Sequence, residues 1–374
     1  MKRILLLLII PFLLCGCTHD MNKQEIDDID LVLLLGIDYT DNSGYTVTAL
    51  YNSGQSAGAG GEGESDSSGQ GTETKIQGRG NSPYEALENL KQKNKKVISL
   101  AHTGYFLVGA GAAGNGIDQC LDFLSRDETI KMESLVFITK DMDAADFIDE
   151  GLQEKQVIHE NIEAIDKKQQ EMITRNDNTL VNLVNGMKQT TSSLLIPYLQ
   201  AKDKNFVIAG YAVFDKLKLK DYLDYDTSSG VNFIKNIIRS YPIYLNNQAS
   251  LALSYSKTKL KSDIKDGIIH IKIQVDFETM IKEVITKDNL FTPDGLEKLR
   301  TQQSIYVKNI VRKAANYSLV SGLDILQVAR LVENQHVKEW KTYEKNWVEY
   351  IPNIQYDFTI HSKVTKSFIQ GNER

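Results

Sequence analysis

The sequence has few cysteines and no excess of positive charge, and both shortages narrow its possible function. Only three cysteines occur among 374 residues, namely Cys15, Cys17 and Cys120. If Cys15 is removed with a leader and Cys17 is modified, no internal disulfide can form, and stability must come from packed cores. The chain carries 43 Lys and Arg against 49 Asp and Glu, a formal net charge of −6. Because nucleic-acid binding needs clustered cations, we expect no nucleic-acid partner.

The apolar stretch at the amino terminus is too short to cross a bilayer, for which roughly 20 residues are needed. This stretch, Ile4–Leu14, has eleven residues, contains Pro11 and follows the basic pair Lys2 and Arg3. Positive charge ahead of a short apolar segment is typical of a secretory signal peptide. The sequence therefore predicts an exported protein with residues 1–16 as its signal peptide.

The end of this segment fits the lipobox pattern of bacterial lipoproteins. Leu14-Cys15-Gly16-Cys17 places an aliphatic residue and two small residues before a cysteine. The small residue before the cut admits the signal peptidase, and the thiol receives diacylglycerol as a thioether. We predict that Cys17 carries the lipid. Two acyl chains would hold the protein on the outer face of a membrane, whereas one chain anchors only reversibly. The alternative is an ordinary signal peptide with an incidental cysteine.

A hairpin and a flexible insertion are predicted near the start of the mature chain. Leu31–Ile37 is an apolar run, Tyr45–Tyr51 is rich in β-forming residues, and turn-forming residues lie between them. Residues 53–71 then hold seven Gly and five Ser among nineteen positions. Such a tract cannot bury enough apolar surface to offset its chain entropy. We interpret it as a flexible loop, because the sheet resumes at Thr74–Gln77.

The rest of the sequence mixes helical and strand patterns. Ser82-Pro83-Tyr84-Glu85 predicts a helix start with a capping box. A second helix is predicted at Ile117–Ser125, and further helices are predicted between the strand Leu135–Thr139 and about Val184. Later helices are predicted at Val231–Ile238, from Asp294 to about Ser318, and at Ile325–Gln335. Strands are predicted at Tyr105–Val108, Leu135–Thr139, Phe206–Phe214 and Ile354–His361, and as a pair at Ile268–Phe277 and Met280–Ile285.

The chain is longer than a single core comfortably organises, so two or three domains are expected. We predict an N-terminal mixed α/β domain over 17–200, a small central α/β domain over 201–258, and a C-terminal α/β domain with long helices over 259–374. The predicted fold class is α+β, with mainly antiparallel or mixed sheets.

A GxSxG motif occurs at Gly54-Gln55-Ser56-Ala57-Gly58. The nucleophile elbow requires a sharp turn from a strand into a helix, which exposes the serine hydroxyl. This serine enters the Gly/Ser tract with no helix after it. We therefore interpret the match as a consequence of composition and predict no catalytic serine.

A GxGxxG motif occurs at Gly109–Gly114 and does follow a predicted strand and precede a predicted helix. A dinucleotide loop usually follows the first strand of its domain, whereas a hairpin and a helix precede this one. Asp141 also lies beyond the expected spacing for a ribose-binding acid. We interpret the motif as a Gly/Ala-rich turn and expect no nicotinamide cofactor.

The six histidines show no spacing typical of a zinc site, and no pair of cysteines could complete one. They are His19, His102, His159, His270, His336 and His361. We predict no metal site and no catalytic residue. Isolated histidines are more often structural or exposed groups.

Several short motifs follow one another in a specific order after the lipobox. They are Leu35-Gly36-Ile37-Asp38, Tyr45-Thr46-Val47-Thr48, Gly78-Arg79-Gly80, Glu85-Ala86, His102, Gly104, Ser125-Arg126-Asp127-Glu128, Ile196-Pro197, Gly210-Tyr211-Ala212-Val213-Phe214-Asp215-Lys216-Leu217, Gly230, Gly322-Leu323-Asp324, Trp340 and Trp347. Each is weak alone. Their order and spacing resemble the C-subunit lipoproteins of spore germinant receptors over nearly the full chain. Two departures are the length of the Gly/Ser tract and Lys131, where the family pattern suggests a second arginine after Arg126-Asp127.

The resemblance implies a non-enzymatic, lipid-anchored subunit of a nutrient germinant receptor complex. Its implied partners are an A subunit with a large soluble part and a multi-spanning B subunit. The implied location is the outer face of the spore inner membrane, and the implied fold is three mixed α/β domains in an elongated molecule. Two alternatives remain at this point: a solute-binding lipoprotein with two similar lobes, and an envelope hydrolase.

Overall fold

A computed structural model describes residues 28–53, 72–174, 177–202 and 205–365. Cys17, the signal peptide and the GxSxG motif lie outside the described residues. The chain forms two sheets with helices around them, and the fold class is α+β, as the sequence predicts. Among the helices of the described part of the chain, none is both long and apolar enough to cross a membrane.

The first sheet is mixed and has nine strands within the described residues. Its strands are β1 (Ile29–Thr40), β2 (Gly44–Ser53), β3 (Thr72–Gly80), β4 (Val97–Ser99), β5 (Tyr105–Val108), β6 (Leu135–Thr139), β7 (Leu194–Lys202), β8 (Asn205–Asp215) and β9 (Lys218–Leu223). The order is β3-β2-β1-β5-β6-β7-β8-β9, and β4 also pairs with β1. The central pairs are parallel, and the pairs towards both edges are antiparallel.

Six helices cover this sheet within the described residues. They are α1 (Pro83–Lys93), α2 (Ala110–Asn115), α3 (Ile117–Arg126), α4 (Ala144–Gln153), α5 (Ile158–Met172) and α6 (Leu180–Met187). One apolar cluster joins α1, α2, α3 and α6 to one face, and a second joins α4 and α5 to the other. A strand that is buried on both faces reads as a continuous apolar run. This explains the sequence of β1, where Leu34 and Leu35 enter opposite clusters.

The predicted hairpin is confirmed, since β1 pairs antiparallel with β2 through a turn that ends at Gly44. Gly44 has a φ of +68°, which glycine adopts without strain. The sheet resumes as predicted, because Ser53 of β2 pairs with Thr72 of β3. The intervening Gly/Ser tract lies outside the described residues.

The predicted start of α1 is also confirmed. The backbone N–H of Glu85 donates to the Ser82 hydroxyl at 3.2 Å, and Pro83 occupies the first helical position. The Glu85 carboxylate reaches one residue further back than a standard capping box, because it accepts from the N–H of Asn81 at 2.8 Å. The local sequence therefore contains the signal for this boundary.

The second sheet has four strands within the described residues, in the order β10-β11-β12-β13. They are β10 (Pro242–Leu245), β11 (Ala249–Lys265), β12 (Ile268–Val284) and β13 (Gln355–Thr365). The helices around it are α7 (Tyr225–Ile234), α8 (Pro293–Ser321), α9 (Val328–Gln335), α10 (Val337–Tyr343) and α11 (Trp347–Tyr350). Trp340 and Trp347 are both buried in this core, with ring centroids 5.2 Å apart.

Two predictions for this half were wrong. The stretches Ile268–Phe277 and Met280–Ile285 do not pair with each other, since both belong to the single strand β12, which pairs with β11. The turn between β11 and β12 is Asp266-Gly267, with φ of +49° and +78°. This is the Asp-Gly signal of a two-residue hairpin, which the sequence contains.

The helix predicted at Val231–Ile238 instead spans Tyr225–Ile234, because the Asp224 carboxylate caps it through the N–H of Thr227 at 2.8 Å.

The division into three domains stays a prediction. The boundary predicted after residue 200 falls within β7, and the one predicted after residue 258 falls within β11. β8 and β9 lie in the predicted central domain and hydrogen-bond into the first sheet. Below, the first-sheet body means residues 29–223 and the second-sheet body means residues 225–365.

Candidate functional site

The two bodies meet along α5, β8, α7 and the segment before β10. At one end of this junction, the carbonyl of Met172 accepts from the N–H groups of Arg239 at 2.7 Å and Ser240 at 3.1 Å. The N–H of Thr174 donates to the carbonyl of Ile237 at 2.7 Å. These backbone bonds tie the end of α5 to the second-sheet body.

A cleft of about 580 Å³ opens beside this tie. Its lining includes Met172 from α5, Phe206 and Tyr211 from β8, Tyr225 from α7, and Tyr241. Burial raises the pKa of Tyr225 to about 12, so its phenol stays protonated at neutral pH. The cleft is therefore rich in aromatic side chains, and Lys168 and Glu171 of α5 also line it.

Three of the hydroxyl groups that line this cleft form hydrogen bonds within the fold. Ser228 Oγ accepts from the N–H of Tyr211 at 3.1 Å, and Ser229 Oγ donates to the carbonyl of Tyr225 at 2.8 Å. The Tyr211 hydroxyl donates to Asn232 Oδ1 at 2.9 Å. Each of these bonds positions a side chain of α7 or β8. A hydrolytic serine needs an adjacent base instead, and none of these three bonds joins a hydroxyl to a basic side chain.

Three buried carboxylates elsewhere cap helices that have no side-chain cap of their own. The residues at the N-cap positions of α4, α5 and α9 are Asp143, Val157 and Gln327, and none of them accepts a hydrogen bond at the helix start through its side chain. Asp38, Glu73 and Asp324 accept those bonds instead. The first N–H groups of a helix otherwise lack partners, and negative charge there is favourable.

Asp38, at the end of β1, caps α4. Its Oδ1 accepts from the N–H of Ala144 at 2.6 Å and its Oδ2 from the N–H of Ala145 at 3.0 Å. Burial raises the pKa of Asp38 to about 7. The same carboxylate explains Gly109, because a Cβ on residue 109 would lie 2.0 Å from Oδ1 of Asp38.

This arrangement accounts for the GxGxxG motif. A Cβ on Gly111 would lie 2.4 Å from the carbonyl oxygen of Tyr39, whereas one on Gly114 would meet nothing within 4 Å. The first two glycines thus let α2 pack closely on the end of β1. The Asp38 carboxylate lies beside the start of α2, where a dinucleotide would place its pyrophosphate. The segment is a turn from β5 into α2, as the sequence predicts, and the absence of a nicotinamide cofactor stays a prediction.

Glu73, in β3, caps α5 and pairs with a histidine. Its Oε2 accepts from the N–H of Ile158 at 2.7 Å, and its Oε1 accepts from the N–H of His159 at 3.2 Å. The His159 ring also contacts Oε1 through Nδ1. The hydrogen bond with Glu73 raises the pKa of His159 above its ordinary value of 6.5.

We expect His159→Gln to destabilise the protein more at pH 6 than at pH 9. The raised pKa means that the folded state favours the protonated ring, so this contribution is complete below about pH 6.5 and is lost as the pH rises through the higher folded-state pKa. Urea denaturation of both proteins across this range measures the effect. His361→Gln is the control, because the His361 side chain is 64% exposed and pairs with Asp276 at the surface. A wild-type advantage that does not change with pH would contradict the prediction.

Asp324 caps α9 and also contacts the first-sheet body. Its two carboxylate oxygens accept from the N–H groups of Val328 and Ala329, both at 2.8 Å. Ser192 Oγ donates to Oδ2 at 3.4 Å, and the N–H of Ser193 donates to the carbonyl of Asp324 at 3.1 Å. Burial raises the pKa of Asp324 to about 6. One residue therefore fixes both a helix start and the junction of the two bodies.

Asp324→Ala should lower the free energy of unfolding by about 3 kcal/mol, because it leaves two buried N–H groups without an acceptor. Urea denaturation followed by circular dichroism measures this change. The control is Asp127→Ala, which removes a carboxylate that accepts from the N–H of Thr129 in an exposed turn. That change should lower stability by about 1 kcal/mol or less. Equal effects of the two substitutions would contradict the role assigned to Asp324.

The histidines, which the sequence analysis did not assign to a metal site, lie on different elements of the structure. His159 lies on α5, His270 on β12, His336 at the start of α10 and His361 on β13. Within the described residues, no three His, Cys, Asp or Glu side chains come together as a metal site. Cys120 is buried in α3, and burial raises the pKa of its thiol to about 12. Lys131, which departs from the family pattern, is exposed in the turn after Asp127.

Comparisons with known proteins cover both bodies. Residues 22–201 match a family model described as "Spore germination protein N-terminal domain". Residues 209–367 match one described as "Spore germination B3/ GerAC like, C-terminal".

A curated relative and a solved structure are similar over nearly the whole chain. The chain is 23% identical over 402 residues to Spore germination protein KC of Bacillus subtilis (strain 168), with 98% of this chain and 96% of that protein covered. Its fold is similar to that in "Crystal Structure of the GerBC protein", with a TM-score of 0.57, 18% identity, and coverage of 88% of this chain and 96% of that one. At this identity the structural match shows the fold alone.

Proposed function

The chain belongs to the GerAC family of spore germination proteins, the C subunits of germinant receptors, and we propose that it is the lipid-anchored, non-enzymatic subunit of a nutrient receptor complex. The observation that carries the proposal is the match of both family models, in order, along one chain. The lipobox at Leu14-Cys15-Gly16-Cys17 supports the anchor.

The proposed partners are a receptor A subunit with a large soluble part and a multi-spanning B subunit. The proposed location is the outer face of the spore inner membrane, with diacylglycerol on Cys17. The engaged hydroxyls of Ser228 and Ser229 in the junction cleft support a role without catalysis. Over the described residues, the sheets of the two bodies have nine and four strands, so the bodies are not the similar lobes that a solute-binding protein would need.

In this proposal the anchor confines the protein next to its membrane partners. Confinement raises the effective concentration, so contacts that are weak in solution become populated without additional affinity. The ties at Met172 and Asp324 would let the two bodies respond together to a partner. The protein then stabilises one conformational state of the B subunit.

Affinity capture from solubilised spore membranes tests this function. We expect a multi-spanning chain and a chain with a large soluble part to co-purify, and mass spectrometry to find a mature amino terminus at a diacylated Cys17. The matched control is capture from spores that carry the untagged protein. Recovery of the protein without any membrane chain would contradict the proposed complex. An unmodified amino terminus would contradict the proposed anchor.

A further inference from the structure

A row of lysines covers part of the outer face of the second sheet. Four of them lie on β11 at positions separated by two or four residues, so their side chains point to the same side of the sheet: Lys257, Lys259, Lys261 and Lys265. The fifth, Lys272 of β12, lies directly opposite Lys261. All five are exposed. We call these five residues the lysine face. Along β11 the row is about 27 Å long, at about 3.4 Å per residue.

Carboxylates compensate part of the charge of this face, since Asp276 lies opposite Lys257 and Asp357 lies opposite Lys272 on the neighbouring strands. Asp263 pairs with Lys265 at 3.5 Å, and Asp276 pairs with His361 at 2.8 Å. Lys259 is close enough to attract Asp276, and Lys272 is close enough to attract Asp263.

The other four members of the lysine face, Lys257, Lys259, Lys261 and Lys272, form no hydrogen bond or ion pair with any residue of the described part of the chain. Like charges directly opposite each other on neighbouring strands are unfavourable, and Lys261 and Lys272 are such a pair. The face is therefore better suited to an anionic partner than to free solution, although the whole chain has a formal charge of −6.

The composition of the face favours a lipid surface over a protein surface. Protein interfaces are enriched in arginine and depleted in lysine, and the outward positions of β11 carry lysine without arginine. Lysine acts as a point charge that does not require the two-pronged geometry of a particular carboxylate. Tyr255 lies on the same strand, two positions before Lys257, and is 50% exposed. An amphipathic tyrosine next to lysines suits a membrane–water boundary.

We propose that the lysine face lies on anionic phospholipid headgroups of the membrane that holds the lipid on Cys17, an inference that rests on the proposed anchor. A single lysine near such a surface is attracted weakly, but several act together within a Debye length. The anchor supplies the proximity that makes this weak attraction effective. The amino-terminal lipid and the second-sheet body would then both contact the membrane, which fixes the orientation of the molecule.

Lysine footprinting of the lipidated protein tests the proposal. The protein is reconstituted in vesicles of phosphatidylcholine, or of equal parts of phosphatidylcholine and phosphatidylglycerol, and its amines are acetylated briefly. We expect Lys257, Lys259 and Lys261 to react about fivefold more slowly on the anionic vesicles at low salt, and the difference to disappear at high salt. Lys298 and Lys308 on α8 are the internal controls, because both are exposed and lie on another element.

Three outcomes would overturn the proposal. Equal reactivity on both vesicles would show that the charges do not contact the lipid. Equal protection on neutral vesicles would show proximity without charge recognition. Protection that develops only when receptor partners are present would show that the face binds protein. Failure of the protein to float with either vesicle is a different result, because it would contradict the anchor and not the lysine face.

Discussion

Replacing Cys17 with alanine should release the protein from the spore membrane and abolish the germination response that depends on it. Two acyl chains provide stable anchoring, and without them only weak contacts with partners remain. We expect the membrane-bound fraction to fall to background while the fold of the body is unchanged. Membrane fractionation with immunoblotting, together with a germination assay on intact spores, measures both effects.

Two further variants make this test specific. Cys120→Ala removes a cysteine that is buried in α3, and it should leave membrane retention intact. A second variant exchanges residues 1–17 for an ordinary secretory signal, so that no uncut leader can retain the protein. Full germination with this soluble variant would contradict the need for an anchor. Loss of retention in Cys120→Ala would show that the assay reports folding instead.

Gly78→Ala should prevent stable folding of the first-sheet body. A Cβ on residue 78 would lie 2.0 Å from the carbonyl oxygen of Ala86 and 2.4 Å from the backbone nitrogen of Leu90. Both atoms belong to the backbone of α1, so no rotation of a side chain can relieve the overlap. Overpacking of this kind lowers the free energy of unfolding by about 3 kcal/mol or more. Urea denaturation followed by circular dichroism measures the loss.

The matched control is Gly104→Ala, because a Cβ on residue 104 would meet nothing within 4 Å. That variant should unfold within about 0.5 kcal/mol of the wild type. If Gly78→Ala is as stable as Gly104→Ala, then α1 does not pack on β3 as closely as the structure indicates.

The sequence predicts those features that depend on neighbouring residues. The cap at Ser82, the apolar run of β1 and the alternation in β13 each contain their own signal, and each element forms where the sequence predicts it. β11 was missed for a physical reason. Its outward positions carry the lysine face, but its inward positions include Thr258 and Ser262, so the alternation of apolar and polar residues is interrupted. The Asp266-Gly267 turn was the signal that could have found it.

The candidate site depends on contacts between distant residues, which local patterns do not contain. Asp38 caps a helix that begins more than 100 residues later, and Glu73 does so across more than 80 residues. The junction cleft likewise takes its lining from α5, β8 and α7. In contrast, the prediction that Cys17 carries lipid rests on four consecutive residues, because the enzymes that process lipoproteins recognise a local segment.

The remote caps of α4 and α5 have a dynamic consequence. The first turn of a helix normally frays, and its amide protons exchange quickly with solvent. Here the first amides of α4 and α5 are bonded to carboxylates at the end of β1 and on β3. These helix starts can open only when their hydrogen bonds to the Asp38 and Glu73 carboxylates break. Their amide protons should therefore exchange as slowly as those of the strands, and a force on either helix would pass directly into the sheet.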